Sequence, residues 1–122
     1  MGDEVIKKIR KVCLSFPETA EKLSWGAPTF RVRDRMFAMY LNNHHQDGRV
    51  AVWCNAPLHV QEMAVQDDPK NFFVPPYVGK SGWVGMRLDL GISWKRASAM
   101  LDQAYRWTEE RAPKKRRPAA KK

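Results

Sequence analysis

Between residues 22 and 55 apolar side chains recur at every second position, and turn residues interrupt the run at short intervals. This alternation constrains the fold more than any other feature, because a period of two sends successive side chains to opposite faces of a strand. Phe30 and Val32 alternate with Arg31 and Arg33, and Asp34-Arg35 reads as a turn. Phe37, Met39 and Leu41 then alternate with Met36, Ala38 and Tyr40. Asp47-Gly48 predicts a hairpin, beyond which Val50, Val52 and Cys54 alternate with Arg49, Ala51 and Trp53. Strands joined by turns this short pair antiparallel.

Helical spacing replaces the alternation on either side. Val5, Ile6, Ile9, Val12, Cys13 and Phe16 make one stripe, with Asp3 as its expected cap and Pro17 as its stop. Lys7, Lys8, Arg10 and Lys11 take the solvated side. A second helix is predicted from Asn55-Ala56-Pro57 to about Gln66, ended by Asp67-Asp68-Pro69. A segment over residues 71–74 leads through Pro75-Pro76 to a strand from Gly82 to Leu90. Ser93 then caps a third helix, with Trp94, Ala97, Met100, Leu101, Ala104 and Tyr105 on one stripe. The order is helix, three or four strands, helix, one or two strands, helix. It predicts an α+β fold: a two-layer sandwich of one antiparallel sheet, with helices on one face and the other face open.

The charge is unevenly spread. The chain carries +9, yet seven of its 22 Lys and Arg fall in residues 111–122, where there is no acid. The remainder holds 15 basic against 13 acidic residues, a net of only +2. A nearly neutral domain over residues 1–108 is therefore expected to carry a basic, disordered tail over residues 109–122, containing Lys114, Lys115, Arg116 and Arg117. Such an arm is either a solubilising end or a non-specific hold on phosphate-rich polymers. No apolar run approaches the roughly 20 residues of a membrane span, and the N-terminus has no signal-peptide core. A cytoplasmic protein without membrane association is expected.

Enzyme signatures fail one after another. Gly79-Lys80-Ser81 resembles the end of a phosphate-binding loop, but Val74 stands where the first glycine is needed, and Pro75 and Pro76 offer no N–H. The residues that follow also alternate as a strand, where that loop must open a helix. Cys13 and Cys54 sit in apolar patterns and read as buried reduced thiols. His44 and His45, adjacent in a hairpin tip, point apart in extended chain and read as polar loop; His59 reads as surface. No catalytic residue, metal site or cofactor is expected.

Strand parity gives a better candidate. With Phe30, Val32, Val50, Val52, Val84, Met86 and Leu88 facing the helices, Arg31, Arg33, Tyr40, Arg49, Trp53, Trp83 and Arg87 face outward. Aromatic faces stack on bases and guanidinium groups pair with phosphates, so this set predicts a nucleic-acid platform. The same face also suits a protein partner or homodimer, where Arg, Trp and Tyr are enriched, or a small-molecule pocket of Trp25, Trp83 and Arg87. Lys95 and Arg96 open the third helix, where the macrodipole disfavours cations unless an anion binds, and Lys80 can join them.

Several of these residues carry a family resemblance. Phe16-Pro17, Glu21, the run Trp25-Gly26-x-Pro28-x-Phe30-Arg31-Val32 and Phe37-Ala38 resemble the N-terminal signature of the MmcQ/YjbR family. Pro57, the Tyr77–Trp83 stretch and Tyr105 agree, so the likeness covers roughly residues 5–108. It departs at Trp53, where relatives often carry Lys, and at Ala104, where they often carry Ser. The resemblance implies a frataxin-like sandwich in a double-wing arrangement, with a DNA-binding role. The expectation is thus a non-enzymatic nucleic-acid-binding protein, of low sequence specificity, monomeric or a weak homodimer.

Overall fold

Six strands pair in the order β1-β2-β3-β4-β6-β5, every neighbouring pair antiparallel. In the computed structural model, which describes residues 2–113, these are β1 Thr19–Ser24, β2 Ala27–Val32, β3 Arg35–Asn42, β4 Val50–Cys54, β5 Phe72–Phe73 and β6 Val84–Arg87. Three helices complete the domain: α1 Gly2–Ser15, α2 Leu58–Asp67 and α3 Trp94–Arg111. The fold is the expected α+β sandwich with an open sheet. Its helical layer buries Ile6, Ile9, Cys13, Ala97, Leu101 and Ala104 against Phe30, Val32, Val52, Cys54, Val84 and Met86.

Local signals explain most boundaries. Pro57, extended at φ −69°, precedes α2, and Ser93 Oγ accepts the Arg96 N–H at 3.2 Å to cap α3. Asp3 lies inside α1 rather than before it. Gly79-Lys80-Ser81 forms one 3-10 turn before β6, so the segment opens a strand and not a helix. Residues 109–111, expected as part of the tail, continue α3, and Ala112 caps it. Lys114, Lys115, Arg116 and Arg117 lie outside the described residues.

Two details of β2 and β3 overturn the simple alternation. Phe30 pairs with Ala38 but Arg31 pairs with Met36, so Phe37 is an inserted bulge residue. Phe37 and Ala38 therefore both enter the helix-side core, and Tyr40 follows them there, 6% exposed, instead of facing outward. Met39 and Leu41 take the open face in its place. The bulge supports an aromatic joint between layers. Phe16 stacks on Tyr105 at 4.6 Å, Phe37 meets Tyr105 edge-on at 5.6 Å, and the Tyr105 hydroxyl donates to the Pro17 carbonyl at 2.9 Å.

The second correction is Arg33. Val32 pairs with Arg35, so the turn comprises Arg33 and Asp34, both at positive φ (46° and 71°). Removed from the strand, Arg33 leaves the period of two. Its guanidinium lies at the end of α3, donating to the carbonyls of Glu109 and Pro113, each at 2.8 Å, and to Glu18 at 2.6 Å. The Glu109 carbonyl is one of those that a helix leaves unpaired at its C-terminus, and Arg33 satisfies it. Arg33 is a helix-layer residue, not part of an outward platform.

Candidate functional site

On the face away from α1 and α3, small residues leave room above the sheet. Ala27 on β2, Ala51 on β4 and Gly85 on β6 carry little or no side chain. A Cβ at Gly85 would enter the Phe73 ring, so only glycine lets that ring lie flat against the strand. The Arg49 guanidinium stacks on the same ring, 4.1 Å from its centre. Met39, Leu41, Trp53 and Trp83 form a second, smaller apolar cluster beside it.

Next to this cluster lies a cavity of about 490 Å³. Met36, Met39, Trp53 and Trp83 contribute to its lining from the sheet side, and Trp25, His44, Tyr77 and Val78 from the connecting segments. Its size falls within the range of small-molecule sites, and its lining is almost wholly apolar. Trp53 and Trp83 are buried, at 4% and 7% exposure, whereas Trp25 and Tyr77 are 85% and 75% exposed. The His44 ring meets Trp53 edge-on at 5.2 Å.

The elements that hold these walls are unusually constrained. Trp25 and Gly26 form the two-residue turn between β1 and β2, since Ser24 pairs with Ala27, and Trp25 has φ 52°. Tyr77 also adopts a left-handed φ, 68°. Bulky residues seldom occupy that region, which suits glycine, asparagine and aspartate. The segment carrying Tyr77 and Val78 is tied to α2 by the buried Gln61, whose amide donates to the carbonyls of Gly79 at 2.8 Å and Trp83 at 2.6 Å. At Gly82, φ is 100° and a Cβ would stand 2.5 Å from the Ala56 carbonyl oxygen, so the loop packs directly on the entrance to α2. This wall is fixed by its own packing.

The predicted site residues separate into groups. Trp53 and Trp83 do face outward, as parity requires, but as lining of a cavity and not as an exposed platform. Arg31 is bound by Ser24 Oγ at 2.9 Å and Thr29 Oγ1 at 3.3 Å. Arg87 forms a two-pronged pair with Asp89 at 2.8 and 3.1 Å and does not line the cavity. Its hydrogen bonds hold the Asp89 carboxyl below the usual carboxylate range. Arg96 pairs with Asp68 at 2.6 Å and approaches the Phe72 ring, while Lys80 and Lys95 are exposed. The α3 N-terminus thus already has a carboxylate beside it. Asp68 is held low by Asn71 first and Arg96 second.

Sequence reasoning missed His44, Tyr77, Val78 and the two methionines as site residues. An aromatic in a Pro-Pro-Tyr-Val-Gly loop was the available signal for Tyr77. Neither thiol is a nucleophile at neutral pH: burial pushes Cys54 up to about 12 and raises Cys13 as well. Among the described residues no group of three or more His, Cys, Asp or Glu is placed to hold a metal ion. No described helix is long and apolar enough to cross a membrane.

Known proteins give the same picture of the fold. The chain is similar over 89% of its length to the crystal structure of Deinococcus radiodurans protein DR2400, a DUF419 domain, with a TM-score of 0.74. The two are 21% identical, and the match covers 82% of the Deinococcus chain. No curated protein matches. The YjbR family model matches residues 14–107, a span that includes every strand and all of the cavity lining. The chain belongs to the YjbR family.

Proposed function

We propose that this domain is a non-enzymatic binding module whose site is the cavity on the open sheet face, and that it takes a flat, apolar ring. The observation that carries the reading is the placement of Trp25 and Tyr77. Both line the cavity, both are mostly exposed, and both are held in left-handed backbone that costs a bulky residue about 1–2 kcal/mol. Neither ring adds much to the core at such exposure. Strain of this kind concentrates at ligand sites, where the surrounding structure maintains it. The suppressed thiols support binding over chemistry.

A test is built into the chain. Of its five tryptophans, Trp25, Trp53 and Trp83 line the cavity, while Trp94 and Trp107 do not. Titration with indole, read from the tryptophan side-chain N–H signals by NMR, is expected to shift the first three and leave the last two. Shifts shared equally by all five would refute a defined site.

Nucleic acid is the second reading, favoured by Arg31 and Arg49 lying on the same sheet face as the cavity. A stacked base contributes about 1–3 kcal/mol. If a single-stranded oligonucleotide binds through this face, it moves the same three indole signals, and Trp25→Ala, which removes the exposed ring, weakens it by that amount.

A further inference from the structure

We propose that the ligand of this site is an uncharged aromatic molecule bearing one short hydrogen-bonding arm, seated across two compartments that Trp25 divides. The inference rests on the cavity reading above and adds the chemistry of its occupant. Beside the 490 Å³ cavity lies a second one of about 190 Å³, and Trp25 and His44 line both. The smaller compartment is a half-open recess bordered by the Trp25-Gly26 turn, the start of β2 and the end of β3.

The two differ in polarity. The larger offers thioethers, indoles and a phenol, so it suits a ring. The smaller adds Asn42, whose exposed side-chain amide makes no hydrogen bond to another described residue. A primary amide provides two donors and an acceptor, and so recognises an amide or hydroxyl. An engineered apolar cavity of about 150 Å³ accommodates benzene, which makes the smaller compartment ample for a substituent of a few atoms.

Charge decides between polar arms. Among the described residues no Lys, Arg, Asp or Glu lines either compartment. An ionised group brought into such a lining loses water and gains no counter-charge from those residue types, which is strongly unfavourable. The arm is therefore neutral. Trp25, at 85% exposure, borders both compartments together with His44, so these two residues are the contacts common to ring and arm.

Three probes sharing one ring test this: indole, indole-3-acetamide and indole-3-acetate, titrated calorimetrically into the full chain. The amide is expected to bind about three- to tenfold more tightly than indole, the equivalent of one net hydrogen bond. The acetate, of nearly the same shape, is expected to bind at least about tenfold more weakly than the amide. In Asn42→Ala the ratio of indole to amide dissociation constants should fall towards one. Equal affinities for the three probes, a preference for the acetate, or an unchanged ratio in Asn42→Ala would each overturn the proposal while leaving a ring site in place. Binding of none of them would remove the ring site as well.

Discussion

Trp25 occupies the first position of a two-residue turn, at φ 52°, followed by Gly26 at φ 77°. Turns with two positive φ values favour Asn-Gly, because the asparagine side chain tolerates left-handed backbone. Trp25→Asn therefore relieves most of a strain of about 1–2 kcal/mol. Against this stands lost burial. The indole is 85% exposed, so roughly 40 Å² of a side chain of about 250 Å² is covered, worth at most about 1 kcal/mol. The strain term is the larger, and a net stabilisation of about 0.5–1 kcal/mol is expected. With an unfolding entropy of roughly 2.1 cal/mol/K per residue over 122 residues, that raises Tm by about 2–4 °C. Indole affinity should fall in the same variant. Calorimetric melts of both proteins, with and without indole, measure the two effects. A Tm lowered by more than about 2 °C would show that Trp25 is packing, and the strain argument for a ligand site would fail with it.

Gln61→Ala leaves the buried Gly79 and Trp83 carbonyls without their donor and should destabilise the domain by about 2–4 kcal/mol in urea melts. It should also weaken indole, since those bonds fix the cavity wall. Asp68 and Asp89 both have depressed carboxyl pKa values. Their stabilisation is complete above the ordinary carboxylate range near pH 4 and is lost as pH falls through the lower folded values. Urea midpoints taken from pH 6 to pH 2 should drop less steeply in Asp68→Ala than in the wild type. Ending the chain at Pro113 removes six of the 22 Lys and Arg. If duplex DNA binds through about four of them, the slope of log K against log salt flattens by about three to four units. An unchanged slope would make that segment a bystander.

The layers of the fold were legible because long periodic segments leave few alternatives. The stripe containing Ile6, Ile9 and Cys13 could only face a core, and Ser93 marked the start of α3. Individual faces were less secure. Placing the turn at residues 34–35 instead of 33–34 kept Arg33 in the strand and so on the wrong layer. A single inserted residue, Phe37, inverted everything after it in β3, which is why Tyr40 was assigned outward. The cavity itself was beyond reach. Its lining comes from positions as distant as 25, 44 and 77, and the backbone strain at two of them is a property of tertiary packing.

The arginines of the open face can be ranked by what a phosphate would have to displace. At Arg87 it would replace Asp89, exchanging one anion for another for little gain, because a two-pronged carboxylate already fits the guanidinium. Arg33 is committed to the end of α3 and to Glu18 and Glu109, so it is out of reach of a ligand on the other face. Arg31 is different: its partners are the hydroxyls of Ser24 and Thr29 and a weaker contact to the Asp34 carbonyl, and among the described residues no carboxylate pairs with it. Arg49 rests on Phe73, an arrangement that leaves a guanidinium its hydrogen-bonding edge. Any nucleic-acid contact made by this face therefore depends on Arg31 and Arg49, and loss of those two side chains should abolish it while Arg87→Ala changes it little.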